Sequence, residues 1–267
     1  HAWMEDAAEA VPVLPVCLFI NGHFGAFLLA RVVIPGFPLT AQGAFPILSD
    51  LALFTALYAA VRAVAETHAR RILALLVLSQ SACILAGLES ATQEGITGAL
   101  VHCVVVAVAT TGLFSVLRLM EVRFNRSFTS DHFLGLSEYT PRLAVFFAVC
   151  GLSLVGLPGT LGFCSEDLLI HGTLVSHPQV GLLLPVATAM NAVSLFRLFS
   201  KMFTGTQRTG IQGVTDALPR ERWVLAVIAL FIVGAGLIPN TIVSLRANAV
   251  REISQALMQR PIARLAK

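Results

Sequence analysis

Long apolar stretches dominate the chain, and short polar segments separate them. A membrane-spanning helix needs about 20 mostly apolar residues, and seven windows of the sequence qualify. We name them segments A to G in chain order; they cover about residues 11–34, 47–65, 72–88, 96–117, 143–174, 180–203 and 223–238. The pattern predicts an all-α, polytopic transmembrane bundle over residues 11–239, preceded by a connection at 1–10 and followed by a tail at 240–267.

Segment E is too long for one straight crossing. It has 32 residues, and Gly156, Pro158 and Gly159 lie in its middle. A continuous helix tolerates such a run poorly, because proline removes a backbone donor and glycine weakens helical order. We therefore expect a broken helix at this point.

Composition narrows the class of protein. Hydrophobic residues make up 56% of the chain and charged residues only 12%, whereas ordinary soluble domains carry roughly 25% charged residues. A soluble globule of this size has too little interior to hide so much apolar surface. The sequence therefore predicts an integral, multi-pass membrane protein in contact with the lipid bilayer.

Basic residues predict the orientation of the helices. Twelve Lys and Arg residues lie in the B–C, D–E and F–G connections or at the helix ends beside them, and only Arg31 lies beside the other three. Because basic residues concentrate in cytoplasmic loops, segment A enters from the cytoplasm, residues 1–10 form a cytoplasmic connection, and segment G ends on the outer face. The tail carries five more basic residues against this rule.

The tail also has apolar residues at helical spacing, which predicts an amphipathic helix on the surface or on a partner. These residues are Ile242, Leu245, Ala249, Ile253 and Leu257.

Two histidines lie at membrane depth. His23 is about 12 residues into segment A, which places it about 18 Å along the helix and near the midplane, and Asn21 and Gly25 beside it leave room for another helix or water. His102 lies in segment D among β-branched residues and must find its partner on another helix. Either imidazole can titrate near neutral pH or serve only as a neutral interhelical hydrogen-bonding group.

Acidic residues follow the break in segment E. Asp167 and His171 are spaced i, i+4, so they share a helix face and can pair. Glu166 points away from that face and is free for another role. Carboxyls after a Pro/Gly break are typical of a broken helix lining a hydrated cavity, although the acids could also lie in an outer loop.

Several kinds of site are not indicated. The five cysteines lie in apolar stretches with no CxxC pair, and we interpret them as small hydrophobic residues. The sequence has no P-loop, no GxGxxG, no metal-spaced Cys or His cluster and no nucleophile elbow. We expect no metal site, no catalytic residues for covalent chemistry, no cofactor and no nucleic-acid partner.

Several stretches resemble one membrane-protein family in the same order along the chain. Residues 152–169, LSLVGLPGTLGFCSEDLL, resemble the twelfth-helix region of antiporter-like proton-pumping subunits of respiratory complex I, Mrp antiporters and membrane-bound hydrogenases. Weaker similarities occur at residues 1–13, 69–80 and 112–114. The resemblance implies that segments A to G are the eighth to fourteenth family helices, with B to F as the second five-helix inverted repeat. It also implies a bacterial cytoplasmic or mitochondrial inner membrane as the location.

The resemblance also implies roles for individual residues. Glu166 falls where the family has a Lys or Glu thought to deliver protons to the outer half-channel. His23 falls where subunit-4-like members have a lysine within the membrane. His102 matches the first of two histidines in subunit-5-like members, whose second is replaced by Val106.

These observations predict proton translocation by way of His23, His102 and Glu166, with Asn21, Asp167 and His171 as supporting polar groups. The chain would be a non-redox subunit of an NADH:quinone oxidoreductase-type complex, partnered by other membrane subunits and by an upstream half of the same subunit. Alternatives are a subunit of a standalone proton- or sodium-coupled transporter, of the Mrp type or for inorganic carbon uptake, and an assembly scaffold.

Overall fold

The computed structural model describes residues 2–13, 15, 17, 23–205 and 215–258. Within these ranges the chain is helical with no β-strand, and only an isolated bridge joins His68 to Thr129. The helices that we number are α1 Ala2–Ala10, α2 Phe24–Leu28, α3 Pro38–Ala65, α4 Ala69–Glu89, α5 Gln93–Phe124, α6 Pro141–Leu154, α7 Leu161–Ser176, α8 Pro178–Phe203, α9 Pro219–Leu237 and α10 Pro239–Met258. A π turn at Leu29–Val33 and a helical turn at Ile34–Gly36 follow α2.

Four described helices, α3, α4, α5 and α8, are each long and apolar enough to cross a membrane. They correspond to segments B, C, D and F. Helix α5 extends beyond its apolar window at both ends, and Thr92 caps its N-terminus, accepting a hydrogen bond from the Gly95 amide at 3.0 Å. Helices α9 and α10 pass the same test only as a pair, and they are bent by 84°.

The predicted break in segment E is confirmed. Helix α6 ends at Leu154 and α7 begins at Leu161, and Gly156 and Gly159 between them have φ of 71° and 89°. Residues with a β-carbon adopt such φ values only at a cost, so glycine suits the turn. Amides of the break donate to the carbonyls of Gly151, Leu152 and Ser153, and the Leu154 carbonyl at the end of α6 accepts from a side chain instead.

Helix α4 lies at the centre of the fold. It packs against α1, α3, α5, α7 and α8, and 83% of its apolar window is buried, compared with 39% for α3 and 33% for α8. Large apolar side chains on the outer helices, including Phe54, Phe196 and Leu230, are exposed. Such an apolar exterior suits contact with lipid, in agreement with an integral membrane protein.

Close packing of α5 on α7 sets the register of the two helices. A β-carbon at Gly98 would lie only 2.5 Å from the backbone nitrogen of Leu169, so glycine lets the helices approach. The helices run antiparallel, and one turn away from this contact His102 faces Ser165 at 2.9 Å. The glycine contact therefore aligns the two polar residues.

The predicted tail helix is present over Pro239–Met258. It packs mainly on α5 and buries Val250 and Ile253. Of the predicted apolar residues, Ile253 is buried against the bundle and Leu245 is 73% exposed. A hydrogen-bonded ion pair of 2.8 Å joins its Glu252 to Arg31.

Candidate functional site

His102 is completely buried and binds polar residues from two other helices. Its Nδ1 lies 2.9 Å from Ser165 Oγ on α7, and its Nε2 lies 2.9 Å from Gln80 Oε1 on α4. The prediction that its partners come from elsewhere is confirmed. Both ring nitrogens are hydrogen-bonded, as a buried imidazole requires.

Gln80 fixes which ring nitrogen of His102 carries hydrogen. Its Nε2 donates to the Leu154 carbonyl at 2.9 Å, one of the groups freed by the helix break. This contact orients the amide so that its oxygen faces the imidazole, which must then donate from Nε2. Gln80 therefore connects the broken helix to the histidine.

Ser165 can accommodate either protonation state of His102. Its hydroxyl lies 2.9 Å from both His102 Nδ1 and the Gly162 carbonyl oxygen. With a neutral imidazole the hydroxyl donates to Nδ1; with an imidazolium, Nδ1 donates to the hydroxyl, which then donates to the carbonyl. A hydroxyl rotation is enough to keep every group hydrogen-bonded when the imidazole gains or loses a proton.

Glu166 lies beside Gln80 at the helix break. Gln80 Nε2 is 3.5 Å from its Oε1, and Cys83 is near enough to interact electrostatically with the carboxyl. A β-carbon at Gly156 would lie 2.3 Å from Glu166 Oε2, so glycine at that position makes room for the carboxyl. The break thus supplies both a partner carbonyl for Gln80 and space for Glu166.

Asp167 and His171 do not join this group. They form the predicted i, i+4 pair at 3.6 Å, with side chains 57% and 66% exposed. Since Glu166 lies on a different face of α7, the structure separates the adjacent carboxyls into a half-buried one that faces Gln80 and an exposed one. The side chains of Asp167 and His171, which the sequence predicted as supporting polar groups, therefore lie away from His102 and Glu166.

His23 lies directly before α2 and has φ of 42°. This left-handed conformation is uncommon for a residue with a β-carbon, and the helix begins only at Phe24, so the continuous helix expected through His23 is wrong. Its Nδ1 lies 3.3 Å from Ser81 Oγ, and its buried Nε2 has no hydrogen-bond partner among the described residues. The predicted neighbour Asn21 lies outside the described residues.

A cavity of about 360 Å³ lies beside His23, with Cys103, Ala107 and Arg246 among its lining residues. The imidazole is also close enough to interact electrostatically with His102. His23 therefore lies between a cavity and the hydrogen-bonded group formed by His102, Gln80 and Glu166. We call these four residues the buried row; Gln80 and His102 are completely buried, and His23 and Glu166 are half-buried.

The sequence interpretation missed Gln80 and Ser165 as site residues. Gln80 is a long polar side chain in the otherwise apolar window of α4, and that mismatch is a signal that could have identified it. A second buried contact on α4 joins Asn191 Nδ2 to Ser79 Oγ at 2.8 Å, and Ser79 donates to the Ala56 carbonyl at 3.0 Å. In the described ranges, no group of three or more His, Cys, Asp or Glu residues could hold a metal ion.

Comparison with known proteins gives a consistent result. The family model described as "NADH:quinone oxidoreductase/Mrp antiporter, TM" matches residues 1–191. NADH-quinone oxidoreductase subunit M of Mycobacterium tuberculosis (strain H37Rv) is 25% identical over 261 residues, covering 97% of this chain and 47% of the relative. NADH-quinone oxidoreductase subunit N 2 of Acidobacterium capsulatum is 30% identical over 246 residues, covering 88% and 49%.

Solved structures agree. A chain of respiratory complex I from Thermus thermophilus superposes with a TM-score of 0.81 and 27% identity, covering 88% of this chain and 50% of that one. A chain of the Mrp complex from Dietzia sp. DQ12-45-1b has a TM-score of 0.85 and 18% identity, covering 97% and 58%, and shares the fold. The chain spans about half the length of the curated relatives it matches.

Proposed function

The chain belongs to the NADH:quinone oxidoreductase/Mrp antiporter transmembrane family, and on this basis we propose that it moves protons across the membrane through the buried row. His23 takes up a proton from the adjoining cavity, His102 carries it, and Glu166 passes it toward the outer side. Gln80 is a positioning residue that holds the imidazole and the carboxyl in one hydrogen-bonded arrangement.

The observation that carries this proposal is the set of contacts around His102. Ser165 and Gln80 satisfy both ring nitrogens, and Gln80 also faces Glu166. None of these contacts is an ion pair. A neutral, reorienting shell lets the imidazole change charge without breaking a salt bridge, which suits a group that must both accept and release a proton.

The proton transfer is balanced within the row. An imidazolium at His102 and a carboxylate at Glu166 become a neutral imidazole and a carboxylic acid, so two charges disappear from the low-dielectric interior together. Because buried charges depend strongly on their neighbours, a perturbation at one end of the row changes the protonation preference of the next group.

We propose that this perturbation arrives from a partner. The matched solved chains come from multi-subunit membrane complexes. In this proposal the chain works beside other membrane subunits and an upstream half of the same subunit, with a redox module as the energy source. In a standalone transporter the same row would carry the coupled protons. Sodium-dependent transport in proteoliposomes would distinguish a sodium-coupled transporter from a subunit of a redox-driven proton pump.

The test is Glu166→Gln in the assembled complex, with proton uptake measured in vesicles. Glutamine keeps the shape and hydrogen bonding but cannot ionise, and removing a proton-transfer group costs about a hundredfold or more in rate. Asp167→Asn is the matched control because it removes the adjacent, exposed carboxylate, and we expect it to leave uptake unchanged.

Undiminished uptake by the Glu166→Gln complex, with normal assembly, would overturn the proposal. It would favour the scaffold alternative, in which the buried polar groups serve helix packing alone. Neutralising His23 and Glu166 together would then disturb complex stability while leaving transport intact.

A further inference from the structure

A carboxyl outside the buried row lies at the C-terminal end of α4. Glu89 is the last residue of that helix and is only 3% exposed. Ser90 after it is also buried, whereas Ala91 is exposed. Glu89 is therefore covered by protein yet only two residues from the surface of the face that the charge pattern assigns to the outside.

The surroundings of Glu89 leave it incompletely satisfied. The Ser49 hydroxyl of α3, itself 1% exposed, faces the carboxyl. Neither Glu89 Oε2 nor Ser49 Oγ has a hydrogen-bond partner among the described residues, and no ion pair there involves Glu89. A buried polar group without a partner is costly, and a carboxyl at membrane depth usually has a functional role.

Other titratable groups at this end of the bundle lie on each neighbouring element. Asp50 on α3 and Glu94 on α5 are exposed, and His177 after α7 is half-buried. These groups are reached by solvent from outside, whereas Glu89 lies between the helices. The burial of Glu89 therefore sets it apart from the other acids of the outer end.

Glu89 lies further along α4 toward the outer end, on the side of the helix that faces α3 rather than the side that Gln80 presents to α5 and α7. Nine residues separate it from Gln80, a rise of about 13–14 Å along the helix. Cys83, near Glu166, lies between them on α4. The α3–α4 interface beyond it is built from small buried side chains: Ala52 and Ala56 on α3 and Ala82 and Ala86 on α4. This interface is a closely packed hydrophobic core, so proton transfer between the two carboxyls requires water to enter it transiently.

We propose that Glu89 is the terminal proton-transfer residue of this chain. The proposal rests on the proposed function of the row. Glu89 as carboxylate takes the proton of the Glu166 carboxylic acid through water, which returns Glu166 to carboxylate. The Glu89 carboxylic acid then gives the proton to a water molecule at the outer surface, while the Ser49 hydroxyl hydrogen-bonds its carboxylate.

The experiment compares Glu89→Gln and Glu89→Asp in the assembled complex reconstituted in vesicles. We expect Glu89→Gln to reduce proton translocation about tenfold or more, since glutamine cannot carry a proton. Glu89→Asp, which can ionise, should recover a substantial part of the rate. Glu94→Gln is the matched control, because it removes an exposed carboxylate from the same end of the bundle, and it should leave the rate unchanged.

A second readout separates proton transfer from a structural role. Acidifying the outer medium should slow the wild-type complex by keeping Glu89 protonated, and Glu89→Gln should remove this dependence. If Glu89→Gln translocates as well as or better than Glu89→Asp at equal assembly, Glu89 is structural and the proposal fails.

The two proposals fail in different ways. Loss of translocation in Glu166→Gln with a normal rate in Glu89→Gln would overturn the terminal role and leave the row intact. A normal rate in Glu166→Gln would overturn the function of the row, whatever Glu89→Gln does.

Discussion

Two regions of the molecule place charge among apolar helices in opposite ways. On the face assigned to the cytoplasm, arginines are matched with carboxylates. In the buried row, titratable side chains meet hydroxyls, an amide and carbonyls instead. The first arrangement fixes the charge of its members, and the second leaves the charge free to change.

The cytoplasmic-side pairs tie α1 to the bundle and hold helices together. Arg70 on α4 forms a bidentate contact with Glu121 on α5, with distances of 2.7 and 2.6 Å. Arg70 also donates to the Glu9 carbonyl at 3.2 Å, and Arg62 on α3 pairs with Glu5 on α1 at 3.0 Å. Bidentate pairs of this kind are strong and geometrically specific.

The row has neutral partners at each described contact. The Ser165 hydroxyl can reorient when the proton moves, whereas Gln80 accepts from His102 Nε2 in both protonation states. Burial alone does not identify a functional ionisable group, because Glu121 is buried whereas His23 and Glu166 are half-buried. The kind of partner distinguishes the two regions.

The largest effect that tests this comparison is expected for His102→Gln. Glutamine can keep contacts with Gln80 and Ser165 but cannot carry a proton at neutral pH, so translocation should fall about a hundredfold. Assembly and the Tm of the solubilised complex should change little. Proton uptake in vesicles, normalised to assembled complex, measures the loss.

His171→Gln is the control for this variant, since that histidine is exposed and paired with Asp167. It should transport at the wild-type rate. A His102→Gln complex that fails to assemble would show that the imidazole is part of the packing, and the contrast between the two regions would be lost.

A smaller effect of a different kind is expected for Glu121→Gln. Arg70, whose side chain is 20% exposed, would lose its bidentate carboxylate. Breaking a fully buried pair costs roughly 3–5 kcal/mol, and the partial exposure of Arg70 reduces the expected loss to about 2–3 kcal/mol. Thermal unfolding of the purified complex should show the lower stability.

Transport per assembled complex should stay close to wild type in Glu121→Gln, because the pair carries no proton. A large loss of translocation at unchanged stability would place Glu121 with the row and break the distinction drawn from partner type.

Sequence could predict the parts of this fold that depend on local chemistry. The Gly156 to Gly159 break follows from backbone preferences, and the need of His102 for a distant partner follows from its apolar surroundings. The identity of that partner depends on the α5–α7 register set by Gly98, a tertiary contact that no periodicity reveals. The backbone at His23 likewise departs from the helix that its apolar neighbours predict.

The burial of Glu89 is another feature that depends on tertiary contacts and not on local sequence. In the sequence Glu89 stands one residue beyond the apolar window of segment C, where a carboxylate is normally solvated at a helix end. Its burial arises because α3 covers it through Ser49, 40 residues earlier in the chain. Residue type and spacing could not distinguish it from the exposed Glu94.

The smallest effect is expected for Arg142→Gln, which breaks a loose pair on the cytoplasmic-side face. Arg142 Nε lies 3.9 Å from Asp216 Oδ2, and the arginine side chain is 56% exposed. Exposed pairs contribute about 0–1 kcal/mol because water solvates both ions. The Arg142 backbone amide still donates to Asp216 at 3.2 Å after the substitution, so the chain contact survives. Thermal unfolding should therefore show a change below about 0.5 kcal/mol, and transport should be unaltered. A destabilisation as large as that of Glu121→Gln would contradict this expectation. It would mean that an exposed ion pair on this face contributes as much to stability as the buried Arg70–Glu121 pair.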